Sequence, residues 1–328
     1  MRLDDRFREF LQTCGQSDSS QQNYQRRLKA FLADHGHKTA GEITAADVNA
    51  WHSRLKQRGL APATVAGYRQ ALKALFNYCV SKGDIPRSPA GHLKIGTFAT
   101  NRQDMLPPEP DVQRVTDLAQ TWLQSDTPHQ LRDGLIWMLS YHSGPRLGEI
   151  MYLRAAAVDK ALRSGPDTYG VYRMPSRGKT GRVVIRVAAH LVGAFQRWTE
   201  LRPRSGAAEF FTTIHAVRPR KGGVVAVRGL TRSAADHIYV SICKSAGVKP
   251  YIRSHALRHR LGDLTTRQFG PKVAAILLNH RDWQQPATAI AFYHHPDEDD
   301  ASRAIVSPHY AAAPDPGELD EMRRLFGV

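Results

Sequence analysis

Four short segments hold the residues whose types and spacing could do chemistry. The first is Ser143-Gly144-Pro145-Arg146-Leu147-Gly148-Glu149-Ile150, where an arginine follows a Gly-Pro break that ends an apolar helix and can aim its guanidinium out of a packed layer. The second, Arg177-Gly178-Lys179-Thr180-Gly181-Arg182, puts a glycine-flanked lysine at the tip of a hairpin. The third, His255-Ala256-Leu257-Arg258-His259, sets His255 and Arg258 three apart on one helix face. The fourth is Leu277-Leu278-Asn279-His280, followed thirteen residues on by Tyr293 in Ala291-Phe292-Tyr293-His294-His295. Two arginines, Arg146 and Arg258, are natural partners for the extra negative charge of a phosphodiester attacked by a phenol, because a guanidinium binds phosphoryl oxygens bidentately. A tyrosine with an ordinary pKa near ~10 must lose its proton to attack, and a departing 5′ oxygen must gain one, so such a site needs a base and an acid.

The elements that must position these groups are mostly helices. Ser19 or Ser20 can cap a helix over 21–35 with Tyr24, Leu28, Phe31 and Leu32 at helical spacing, and Thr44 caps 47–58. Ala61-Pro62-Ala63-Thr64 opens a helix with Val65, Tyr68, Leu72, Leu75, Phe76 and Cys79 inward, and a helix over 7–14 completes a four-helix bundle. Lys82 to Pro89 stops the last of these, and the next helix begins after Leu106-Pro107-Pro108-Glu109-Pro110. Further on, 131–141 is an apolar helix. Strands over 171–174 and 182–187 flank a turn from Pro175 to Gly181, and helices follow over 191–200, 233–245, 255–268 and 273–278.

Composition limits the classes of function. The chain has 328 residues, 41% of them apolar, and a formal net charge of +16, so two domains with real cores and a polyanionic partner are expected. The charge is +7 over residues 1–98, +14 over 99–293 and −5 over 294–328, which gives two basic bodies and an acidic tail. No stretch reaches the roughly 18 apolar residues of a membrane span, and the start MRLDDRFREF has no signal core, so a cytoplasmic protein without membrane contact is expected. Cys14, Cys79 and Cys243 lie far apart with no C-x-x-C, which predicts reduced, mostly buried thiols. His294-His295, His35-x-His37 and the His255, Arg258, His259 triplet lack the ligand number and spacing of a zinc site, and no metal is expected. Trp51, Trp122, Trp137 and Trp198 sit at apolar helical positions and read as core. The run Arg218-Pro219-Arg220-Lys221 reads as a loop near backbone phosphates or as a solvated charge run.

Taken together, the four segments resemble the tyrosine recombinase (phage integrase) family. Its pattern is an arginine in a T/S-G-x-R-x-x-E box, a lysine on a β-hairpin, H-x-x-R-H, then L-G-H and a tyrosine near Y-x-H. The matching positions are Arg146 with Glu149, Lys179, His255 with Arg258 and His259, His280, and Tyr293, in the same order over residues 131–295. Pro145 stands where an apolar residue is usual, Asn279 stands where glycine is usual, and the His280 to Tyr293 interval is a few residues longer than in the commonest members. Tyr310, with His309 before it and no histidine after it, is the other tyrosine to weigh; Tyr293 fits the pattern better.

The resemblance implies a mainly α fold, with an N-terminal helical core-binding (SAM-like) bundle and a C-terminal mainly helical catalytic domain carrying a small β-sheet. It divides the chain into a DNA-binding domain over 1–95, a linker over 96–108, a catalytic domain over 109–295 and an acidic tail over 296–328. In that tail 316–326 has an amphipathic pattern too short to stand alone, suited to docking on a neighbouring protomer or on its own domain. The implied activity is site-specific recombination through a 3′-phosphotyrosyl link, as in integration, excision or resolution of a mobile element. Lys179 would be the acid, His255 the base, and His280 a donor to the phosphate, with no cofactor and no ATP. The implied partners are double-stranded DNA and other copies of the chain in a tetramer on paired sites, with an accessory DNA-binding protein left open, in a prokaryotic, nucleoid-associated setting. The rival readings are a type IB topoisomerase-like enzyme and an integrase-like DNA-binding protein without catalysis.

Overall fold

The computed structural model describes residues 1–13, 18–94, 106–178, 181–217, 225–279 and 305. The chain divides into two compact units, Met1–Thr100 and Asn101–Val328.

The first unit consists of α1 (Leu3–Thr13), α2 (Asp18–His35), a 3-10 turn (Ala40–Glu42), α3 (Ala45–Gln57) and α4 (Pro62–Ser81). Thr44 caps α3, its side chain accepting from the Asp47 amide while Asp47 reaches back to the Thr44 amide. Pro62 opens α4 at a position where no amide is needed. Two boundaries differ from expectation. Helix α1 starts at Leu3 and not at Phe7, because its first amides find acceptors in the loop after α2: Leu3 N donates to Lys38 O at 2.7 Å and Asp4 N to Gly36 O at 3.0 Å. Helix α2 starts at Asp18, so Ser19 and Ser20 lie inside it and neither caps it; serines mark the neighbourhood of a helix start more reliably than its position.

The bundle's core is aromatic. Phe31 meets Trp51 and Phe76 edge to face, with centroids 5.5 and 6.0 Å apart. Arg6, nearly buried, forks onto both carboxylate oxygens of Asp84, which ties α1 to the chain just past α4.

The second unit is built around α6 (Pro128–Ser143), in which every residue from Leu131 to Ser143 is buried. A helix buried on all sides must partner its polar groups, and it does. Arg132 bonds Asp133 and the Thr212 carbonyl, Trp137 Nε1 donates to Thr116, and Ser140 bonds Tyr239. Around it lie α5 (Glu109–Trp122), α7 (Leu147–Met151), α8 (Ala155–Ser164), α9 (Val192–Leu201), α10 (Arg232–Ser245), α11 (Ser254–Phe269) and α12 (Pro271–Leu277). The short α7 and the α8 stripe of Val158 and Ala161 are additions to the elements expected from the sequence.

One antiparallel pair, β1 (Val171–Gly178) and β2 (Gly181–Ala188), runs in unbroken register from Val171↔Ala188 to Gly178↔Gly181. The expected turn from Pro175 to Gly181 is therefore mostly strand. Pro175 sits opposite Val184 without stopping the ladder, since a missing amide matters only where the ladder would use it.

Trp51, Trp137 and Trp198 are at most 2% exposed, and Trp122 packs partly buried against the core. Cys79 and Cys243 are buried free thiols, whereas Cys14 lies outside the described residues. A satellite cluster of Val171, Ala188, Leu261, Val273 and Ile276 to Leu278 also takes in Ile305. The segments 218–221 and 316–326 lie outside the described residues.

Candidate active site

Helix α6 ends at Gly144, whose φ of 56° and ψ of 32° make it a left-handed cap. Only glycine suits this position on two counts. The backbone is in the region L side chains avoid, and an added Cβ would lie 2.9 Å from both Leu261 Cδ2 and Leu278 Cδ2 and 3.7 Å from Arg258 Cα. The chain then passes the buried Pro145 and places Arg146 at the N-cap of α7. Its side chain is 38% exposed, held by a single carboxylate: Glu149 Oε1 accepts from Arg146 Nη1 at 3.0 Å and Oε2 from the Arg146 amide at 2.9 Å. Glu149 itself is fully buried.

The same glutamate touches the hairpin. Its backbone carbonyl accepts from Ser176 Oγ at 2.6 Å, and a Cβ added at Gly178 would come within 3.2 Å of Glu149 Oε1. The residue preceding Lys179 therefore packs directly on the carboxylate that orients Arg146.

Arg258 projects from α11 into the interior and is 5% exposed. One terminal nitrogen donates to Gly144 O at 2.6 Å, and the other donates to Leu278 O. Those two carbonyls belong to the C-caps of α6 and α12, the negative ends of two helices, which suits a cation. Two of the guanidinium's five N–H groups are used this way among the described residues. Burial, followed by the like charge of Arg146, pushes the Arg258 pKa down to about 10, with Glu149 opposing. It stays charged at neutral pH beside the like charge of Arg146.

His255 lies one turn before Arg258 on α11, with its ring 5.9 Å from that of His259. Its pKa falls below the usual imidazole value, first through partial burial and then through the positive charges of His259, Arg258, Arg146 and Arg232. A neutral imidazole beside two guanidiniums can accept a proton.

Of the six residues singled out in the sequence, the structure thus brings Arg146, His255 and Arg258 into one electrostatic neighbourhood. Lys179, His280 and Tyr293 lie outside the described residues, as does Tyr310. Two contributors carried no assigned role in the sequence. Glu149 is one, and its signal was its place three residues after Arg146 at a helix start. Asn279 is the other. It adopts a positive φ of 50°, which accounts for an asparagine where glycine is usual, and its carboxamide bonds β2. Among the described residues no group of three or more His, Cys, Asp or Glu is arranged to hold a metal ion, and no helix is long and apolar enough to cross a membrane.

Comparison with known proteins identifies the family and the fold. Residues 3–83 match the phage integrase N-terminal SAM-like domain, and residues 109–299 match the phage integrase family. The tyrosine recombinase XerC of Xylella fastidiosa (strain M23) is 26% identical over 300 residues, 90% of this chain and 92% of that one. A lambda integrase(75–356) dimer bound to a COC′ core site superposes with a TM-score of 0.59 at 17% identity, over 90% of this chain and 98% of that one. A lambda integrase tetramer bound to a Holliday junction gives 0.59 at 16% identity, over 87% and 78%. The fold is a helical SAM-like domain joined to a mainly helical integrase domain with one small sheet. The chain belongs to the phage integrase family of tyrosine recombinases, enzymes that cut and rejoin DNA.

Proposed function

We propose that this chain is a site-specific DNA recombinase that breaks and rejoins strands through a 3′-phosphotyrosyl intermediate on Tyr293. The observation that carries the reading is the pairing of Arg146 and Arg258 about the Gly144 cap, one held by Glu149 and the other by two helix ends. Two cations forced together by the fold are costly without an anion between them.

In this scheme the two guanidiniums hold the non-bridging oxygens of the scissile phosphate, where charge grows in the transition state. The Tyr293 phenol oxygen attacks phosphorus and passes its proton to His255. The bond from phosphorus to the 5′ oxygen breaks, and Lys179 protonates that oxygen while His280 donates a hydrogen bond to the phosphate. The phosphotyrosyl link conserves the bond energy, so a 5′ hydroxyl from another strand can reverse the step without ATP. The arginines supply the positive charge that a metal ion would otherwise bring.

The partner is double-stranded DNA, bound by a 1–95 domain and a 109–295 domain joined by a 96–108 linker, both basic, with affinity falling steeply in salt. The lambda integrase tetramer on a Holliday junction supports a tetramer on paired sites, and the amphipathic pattern of 316–326 supports that segment as the one that docks between protomers. The setting is the prokaryotic cytoplasm, on the nucleoid.

The test is to trap the link. The protein is incubated in EDTA with nicked duplexes tiling the DNA around its own gene, and an SDS-resistant adduct is mapped by peptide. An adduct on Tyr293 that vanishes in Tyr293→Phe is expected. An adduct on Tyr310 would overturn the nucleophile, and sequence-specific binding without any adduct would overturn the catalysis.

A further inference from the structure

Building on that reading, we propose that Asn279 is a positioning residue for strand cleavage, its carboxamide clamping the hairpin that carries Lys179 onto the frame that holds Arg258. The clamp is a two-point contact. Asn279 Nδ2 donates to the Val184 carbonyl at 2.9 Å, and the Val184 amide donates to Asn279 Oδ1 at 3.4 Å. Val184 pairs across the ribbon with Pro175, which has no amide to offer, so the backbone groups of Val184 face the outer edge of β2. There the primary amide of Asn279 does what a third strand would do, with donor opposite acceptor and acceptor opposite donor.

The backbone around Asn279 fixes the other end of the clamp. Its amide closes α12 by donating to Ile276 O at 3.1 Å, and its φ of 50° turns the side chain toward the hairpin. The carbonyl of the preceding residue, Leu278, accepts from Arg258. Two consecutive residues therefore grip Arg258 and β2, and the next in sequence is His280. The hairpin has a second hold at Ser176 and Gly178 on Glu149, but those contacts are on β1. Nearer the base of the hairpin, β2 keeps its hold at Arg186, whose carbonyl accepts from Ser143 Oγ and whose Nη1 donates to Ile276 O at 3.3 Å. Without Asn279 the outer edge of β2 loses its partner on the side toward the tip, and the tip can shift about the Glu149 contact. A glycine would satisfy the backbone at 279 equally well while leaving Val184 without this clamp.

That difference supplies the experiment. Asn279→Gly keeps the left-handed turn and deletes only the amide, while Asn279→Asp keeps an acceptor for the Val184 amide and sets a carboxylate oxygen against the Val184 carbonyl. Covalent-adduct rates are measured for wild type, both variants and Lys179→Ala on two nicked substrates. One carries the ordinary phosphodiester and the other a 5′-bridging sulfur, which departs as a thiolate (thiol pKa about 8.5) and needs no acid. Asn279→Gly is expected to melt like wild type, to bind DNA as tightly, and to cleave the ordinary substrate about 10- to 100-fold more slowly, as for a catalytic group displaced by around an ångström. On the sulfur substrate its deficit should vanish together with that of Lys179→Ala, and Asn279→Asp should be at least as slow as glycine on oxygen.

Wild-type rates for Asn279→Gly on the ordinary substrate would overturn the proposal. So would a deficit that sulfur does not relieve, which would mark a general structural role. If wild type itself forms no adduct, or if sulfur fails to rescue Lys179→Ala, the proposed mechanism falls and the clamp's role with it; in the other failures the mechanism stands and only the clamp is refuted.

Discussion

Replacing Glu149 by glutamine isolates the electrostatic part of the site. The carboxylate accepts two bonds from Arg146, at 2.9 Å from its amide and 3.0 Å from Nη1, and it is fully buried. An amide of the same size can accept only one of them; its NH₂ must then face an N–H donor. Losing one charge-assisted bond costs about 1.5–3 kcal/mol. If that loss falls on the placement of Arg146 in the transition state, it lowers the rate roughly 10- to 150-fold, at 1.36 kcal/mol per decade. The assay is single-turnover adduct formation on a nicked duplex, run beside a DNA-binding titration and a thermal melt. We expect a cooperative melt and near-normal binding with the rate loss stated, and a larger loss of stability in Glu149→Ala, which also leaves a void. A cleavage rate for Glu149→Gln within about twofold of wild type, against the predicted loss, would refute the idea that Glu149 governs Arg146.

Two further outcomes follow from the same geometry. Gly144→Ala should lower stability by about 2–5 kcal/mol, from the left-handed backbone and from crowding against Leu261 and Leu278. In a unit of this size that is a fall of roughly 5–15 °C in melting temperature, and an unchanged melt would refute it. His255 in the DNA-free protein should titrate below 6.5, because burial and neighbouring positive charge disfavour the imidazolium. Its folded pKa lies below the unfolded one, so its contribution to stability is present above the unfolded value and is lost as pH falls through the folded one. An imidazole NMR titration with a midpoint at or above 6.5 would contradict this.

The helices most legible from sequence were those whose signals are local. The Thr44 cap, the Pro62 start of α4 and the apolar run of α6 each announce themselves within a turn or two of chain. The extent of the hairpin did not, since Pro175, Ser176 and Arg177 have turn-like types and their pairing depends on residues across the ribbon. At the candidate site, type and order singled out Arg146, His255 and Arg258, which the fold brings into one electrostatic neighbourhood. Their anchoring was not. The bond from Arg258 to Gly144 O spans 114 positions and that from Asn279 to Val184 O spans 95, and contacts so distant leave no periodicity in the chain.

The double anchorage of Arg258 also bears on the order in which the site is assembled. A ribosome makes the chain from its N-terminus, so the C-cap of α6 emerges well before Arg258, and the C-cap of α12 only after it. Until the second carbonyl arrives, the guanidinium has one tether and is free to swing. A nascent chain already carrying Arg146 and His255 thus lacks a fixed pair of guanidiniums until the C-cap of α12 has formed.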